Sequence, residues 1–176
     1  MKLILIEDSF NAIELIVELI TNRIEGDNML EKLFVYPSPG LAFNENDYTK
    51  LKESDGKNSR INFYEYKDAV NFEEFKDNLF ELIDSLKEGV RVAMDLEILN
   101  DSGEQYEKFN SRKLAKEMVD SGLLNYSDIV FYSSCCDTAC FEALTPRFAF
   151  YLRPDSFEDA AAGSDFYDFL IGRVVK

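Results

Sequence analysis

The chain opens with an apolar run, KLILIE at 2–7, that shows almost no alternation, the pattern of a strand buried on both faces of a parallel sheet. Asp8 and Ser9 then start a segment with apolar residues at 13, 16, 17, 20 and 24, one stripe of a helix, with Gly26 as its stop signal. Further on, KLFVY at 32–36 and INFYEY at 61–66 both read as strands. The second runs straight into the amphipathic NFEEFKDNLFELIDSL, so it is assigned to the main sheet and KLFVY to a possible extra edge strand. Between them, residues 37–60 turn to Pro, Gly, Asn, Ser and Lys, which predicts a long loop insertion.

From VRVAMDL at 90–96 the alternation continues with a helix over about 107–121 ended by Gly122, a strand DIVFYS at 128–133, a short helix near 137–143 and a strand RFAFYL at 147–152. A final helical stretch follows, with Gly163 and Ser164 suggesting a break within it. Strands alternating with helices predict an α/β fold: a doubly wound three-layer sandwich around a mainly parallel five-stranded sheet in the order 2-1-3-4-5, with right-handed crossovers. A length of 176 residues suits one domain, and no internal repeat or low-complexity segment divides it.

Composition narrows the function. Acidic residues number 34 against 19 basic ones, a formal charge of −15, so a phosphate backbone would be repelled and direct nucleic-acid binding is not expected. The N-terminal MKLILIEDSF meets Glu7 and Asp8 too early for a signal peptide, and no stretch reaches the ~18 apolar residues of a membrane span, so a soluble cytoplasmic protein is expected. The chain has no histidine, which removes Ser-His-Asp and Cys-His nucleophilic sites and the usual zinc sets. Cys135, Cys136 and Cys140 are an odd cluster that suits no disulfide framework, and ordinary helix packing is their simplest role.

Ligands of such sheets bind outside the carboxyl ends of the strands, beside the point where strand order reverses. Those ends carry Glu7-Asp8, Asp95, Ser133-Ser134 and Arg153-Pro154. Carboxylates converging there repel one another, and a hard divalent cation such as Mg²⁺ would relieve the repulsion. Taken singly, each residue also has a plain reading: Asp95 as a structural acid, Ser133 as a turn or cap residue, Phe150 as core, Arg153 as the partner of a neighbouring carboxylate.

Together the fragments LILIEDS, AMDLEILNDSG, IVFYSS and FYLRP, one at each expected strand end, resemble the receiver domains of two-component response regulators. The resemblance implies a flavodoxin-like receiver fold in which Asp95 accepts a phosphoryl group from a histidine kinase or phosphotransfer protein. Asp8, with Glu7 beside it, would hold Mg²⁺ together with Asp95 and the backbone carbonyl of Glu97. Ser133 would hydrogen-bond a phosphate oxygen, Arg153 would supply the positive charge, and Phe150 matches an aromatic position that rotates on activation. Output would pass through contacts with a downstream protein.

Arg153 departs from the family pattern, which has lysine before the proline, and Leu99 stands where proline is usual. These departures keep open a degenerate receiver that binds proteins without phosphorylation. Glu7 with Asp95-Leu96-Glu97 also meets the minimal pattern of a Toprim-like metal-dependent domain, a reading that leaves Ser133 and Arg153-Pro154 unexplained.

Overall fold

The computed structural model describes residues 1–38, 45–55, 58–64, 72–96, 110–133, 148–153, 156–157 and 159–173. Its centre is a six-stranded sheet built from β1 (Lys2–Glu7), β2 (Lys32–Pro37), β3 (Ile61–Phe63), β4 (Val90–Asp95), β5 (Ile129–Ser133) and β6 (Ala149–Leu152). The order is β3-β2-β1-β4-β5-β6 and every adjacent pair is parallel. The five strands from β2 to β6 reproduce the predicted order, and β3 is the additional edge strand.

The two candidate strands therefore exchange places relative to the sequence assignment: KLFVYP pairs with β1 along its length, and INF forms the three-residue edge. The physical reason lies in their faces. An inner strand must be apolar on both sides, as Leu33, Phe34, Val35 and Tyr36 are, whereas Asn62 interrupts the other candidate.

Among the described residues five helices cover the sheet: α1 (Phe10–Ile24), α2 (Glu45–Asp55), α3 (Phe72–Leu86), α4 (Ser111–Asp120) and α5 (Ala160–Leu170). Leu3 and Leu5 of β1 pack with α1, α2 and α5, while Ile4 and Ile6 pack with α3 and α4. The period-two alternation of one buried strand thus feeds two separate cores, one on each face, giving the three layers.

Two sequence expectations are corrected here. The stretch expected to be a loop contains α2, a largely polar helix held to the first core by Tyr48 and Leu51, three residues apart on one side. The Tyr48 hydroxyl donates to the carbonyl of Tyr64 at 2.6 Å, tying α2 to the edge strand. Gly163 does not break the last helix. It lies inside α5, where an added Cβ would come within 3.3 Å of Leu19 of α1, so glycine permits the close approach of these helices. Gly122, by contrast, ends α4 as expected, with φ of 76° just beyond the helix.

Candidate functional site

The strand order reverses direction between β1 and β4. β1 leads into α1 on one face and β4 leads toward α4 on the other, so the two segments diverge and leave a crevice at their carboxyl ends. Glu7 closes β1, Asp8 follows it, and Asp95 closes β4. Each offers a carboxylate oxygen, and these oxygens lie within 4.8 Å of one another.

Burial sets the electrostatics. Glu7 and Asp8 are 2% and 6% exposed, and Asp95 is half-buried, with the most open edge of the three. Removal from water, then the charge of Asp8, pushes the Glu7 carboxyl up to about 8. Asp95 is raised well above the usual carboxylate range by burial and by the charges of Glu7 and Asp8, with the positive charge of Arg153 acting in the opposite sense. Such a group is costly to ionise unless a cation joins it.

Local structure holds these acids in place. Glu7 Oε1 accepts from the backbone N–H groups of Asp8 (3.0 Å) and Ser9 (3.1 Å), so the carboxylate folds back over the start of α1. Ser9 caps that helix by accepting from the Ala12 N–H at 3.4 Å. Across the crevice, the N–H of Arg153 donates to the carbonyl of Ser133 at 2.8 Å, which fixes the end of β6 against the end of β5. Ser133 is buried at that junction, one residue beyond the Asp95–Tyr132 pairing, and half-buried Phe150 packs in the core of the α3–α4 face.

Of the residues predicted from sequence, Glu7, Asp8 and Asp95 come together, and Arg153 is close enough for its charge to act on Asp95. Glu97, Leu99, Pro154, Ser134 and the cysteines Cys135, Cys136 and Cys140 lie outside the described residues, as does the expected short helix near 137–143.

Two further residues belong to the site and escaped the sequence reading. Tyr132, fully buried, donates its hydroxyl to Glu7 Oε2 at 2.9 Å and lies 3.4 Å from the carbonyl of Ile6. The signal for it existed: a tyrosine in a strand apolar on both faces must bring a partner for its hydroxyl into the core. Ser38 donates its N–H to the carbonyl of Glu7 at 3.0 Å, and its fully buried hydroxyl has no hydrogen-bond partner among the described residues. Nothing in the linear sequence distinguishes that serine from a loop residue.

The donor set fits a small hard cation. All three side chains offer oxygen, and these oxygens lie within 4.8 Å of one another, close enough for one ion bonded to each at ~2.1 Å to draw them together.

No known protein family matches the sequence, and neither a curated protein nor a solved structure shows significant similarity to the chain.

Proposed function

We propose that the chain is a receiver-like phosphoacceptor in which Asp95 takes a phosphoryl group with the aid of Mg²⁺. The observation that supports this most is the meeting of the Glu7, Asp8 and Asp95 carboxylates at the β1/β4 crevice, with the charge of Arg153 acting on Asp95.

Glu7, Asp8 and Asp95 would hold the cation, which when bound neutralises charge on the transferring group and favours the ionised form of the carboxyls. An Asp95 oxygen would attack phosphorus in line with the bond to a donor histidine nitrogen or an acetyl leaving group. That bond breaks as the acyl phosphate forms, and the leaving group keeps its electron pair. Arg153 and the Ser133 hydroxyl would receive the phosphoryl oxygens from the β5–β6 side. The natural donor would be a histidine kinase or phosphotransfer protein, and the response a change in contacts with a downstream protein.

The same site supports a second reading. Arg153 spreads over a planar guanidinium the charge that a lysine would present as a point, which favours a degenerate receiver that keeps the fold for protein binding and transfers no phosphoryl group.

Incubation with acetyl phosphate and Mg²⁺ followed by intact-mass measurement separates the two. The phosphoacceptor reading expects a single adduct lost in Asp95→Asn, and saturable binding of beryllofluoride. No adduct and no beryllofluoride binding, in wild type and Arg153→Lys alike, leaves the degenerate reading. An adduct that survives Asp95→Asn shows that another residue is the acceptor.

A further inference from the structure

The hydroxyl of Tyr132 reaches Glu7 from two strands away. Asp95 of β4 pairs in register with Tyr132 of β5, and Ile6 of β1 pairs with Met94, so Glu7, Asp95 and Tyr132 share one row across the sheet and one face of it. Neighbouring strands are ~4.8 Å apart, so the tyrosine must cross the whole width of β4 to meet Glu7. Ala93, which shares that face one row earlier, has no side chain beyond Cβ to obstruct it. On its far side the ring meets Phe166 edge-on, with centroids 5.7 Å apart and planes at 78°. The phenol is therefore held at both its ring and its hydroxyl.

The consequence falls on Glu7. A carboxylate has about four lone-pair sites, two on each oxygen. On Oε1 both are taken, by the N–H groups of Asp8 and Ser9, and Tyr132 takes one on Oε2. At most one remains for a cation, on Oε2, because the Asp8 side chain also hydrogen-bonds Glu7 and a bound ion would have to take the place of that proton.

We propose that Tyr132 is a positioning residue that makes Glu7 a one-oxygen ligand and so biases the crevice toward Mg²⁺ over Ca²⁺. Magnesium takes six ligands in tight octahedral geometry and binds few carboxylates, each through one oxygen, whereas calcium accepts more ligands and favours a carboxylate that can offer both oxygens. With its plane pinned by three donors, Glu7 can present only one. Removing the tyrosine hydroxyl frees Oε2 and lets the carboxylate turn, which costs the octahedral ion its preset ligand and gives the larger ion a better one. Partners that orient a metal-ligating side chain in this way typically matter by about ten- to a hundredfold in metal affinity.

This inference rests on the cation-site reading above, and the experiment separates the two. Mg²⁺ and Ca²⁺ dissociation constants are measured by calorimetry on wild type, Tyr132→Phe, Glu7→Gln and the double variant, with circular dichroism confirming the fold of each. Tyr132→Phe is expected to weaken Mg²⁺ about tenfold and to shift the Mg²⁺:Ca²⁺ preference toward Ca²⁺, with no such effect when Glu7 is already glutamine. Glu7→Asp, which keeps the charge but withdraws it from the tyrosine, should shift the preference in the same direction and guards against a variant that fails to fold. Unchanged Mg²⁺ affinity and preference in Tyr132→Phe, with wild type binding Mg²⁺, overturns the role of Tyr132 alone. Wild type that binds neither ion saturably overturns the cation site itself.

Discussion

Buried carboxylates occupy both ends of this sheet, and they are treated in opposite ways. At the amino end of the strands, Asp27 in the α1–β2 connection is only 5% exposed, yet it accepts from the Tyr167 hydroxyl (2.7 Å), the Met29 N–H (2.7 Å) and the Arg173 guanidinium (2.9 Å). Burial by itself would raise its pKa, but these donors together bring it below the ordinary value. Around it, Arg60 donates to the carbonyls of Ile24, Asp27, Leu30 and Glu31, closing the connection against the start of β3. At the carboxyl end, Glu7, Asp8 and Asp95 are brought together, and both Glu7 and Asp95 are pushed upward. A carboxylate whose donors outweigh its burial fastens the fold, while a cluster in which burial and like charges outweigh the donors is poised for a ligand.

The sharpest break of this contrast is mutational. Asp27→Ala leaves the Tyr167 hydroxyl and the Met29 N–H without their acceptor and should lower the unfolding free energy by about 2–4 kcal/mol, with half-exposed Arg173 contributing little of it. Asp95→Asn removes a group that burial and like charges disfavour, and should leave stability unchanged or raise it. Urea titrations of both proteins in chelator would undo the comparison if the two losses were equal.

The second expected effect is a difference in sign with pH. Asp27 has a lowered pKa, so the stability it adds is present above its unfolded value of 3.8 and is lost as the solution becomes more acid. Glu7 has a raised pKa, so its cost is absent below 4.5 and grows as pH rises toward about 8. Between those values, wild type in chelator should lose on the order of 4 kcal/mol more than Glu7→Gln. Parallel pH profiles of the two proteins would remove Glu7 as the source.

A smaller effect concerns the cation. If the crevice binds Mg²⁺ with a dissociation constant of ~1 mM, 10 mM Mg²⁺ should stabilise the protein by about 1.4 kcal/mol at neutral pH. Asp27→Asn should retain that gain, and Asp8→Ala should abolish it, as read from thermal midpoints. The smallest expected change is kinetic: Arg153→Lys should accelerate labelling of Asp95 by a few-fold, because a compact charge replaces a dispersed one where negative charge develops. Equal rates would show that the guanidinium serves as well as the ammonium.

Much of the contrast is unequally visible in the sequence. The carboxyl-end acids could be placed because a strand buried on both faces must end where its first charges appear, and Glu7, Asp8 and Asp95 each mark such an end. Asp27 could not, since next to Gly26 it reads as an ordinary turn residue, and its partners Tyr167 and Arg173 are about 140 residues away. The helix α2 was hidden because its apolar stripe amounts to Tyr48 and Leu51 within a polar segment. Gly163 misled because a glycine between helical residues signals a break unless a neighbouring helix is known to lie against it.

What the sequence determined by itself is the alternation of strand and helix, the parallel sheet and the acids at its strand ends, because hydrophobic period and capping chemistry are local properties of the chain. What tertiary structure alone decided is which strand lies beside β1, that Tyr132 spans β4 to reach Glu7, and that Ser38 is buried with its N–H on the Glu7 carbonyl. Those facts depend on register between segments distant in sequence, and register is fixed only when both faces of the sheet are packed at once.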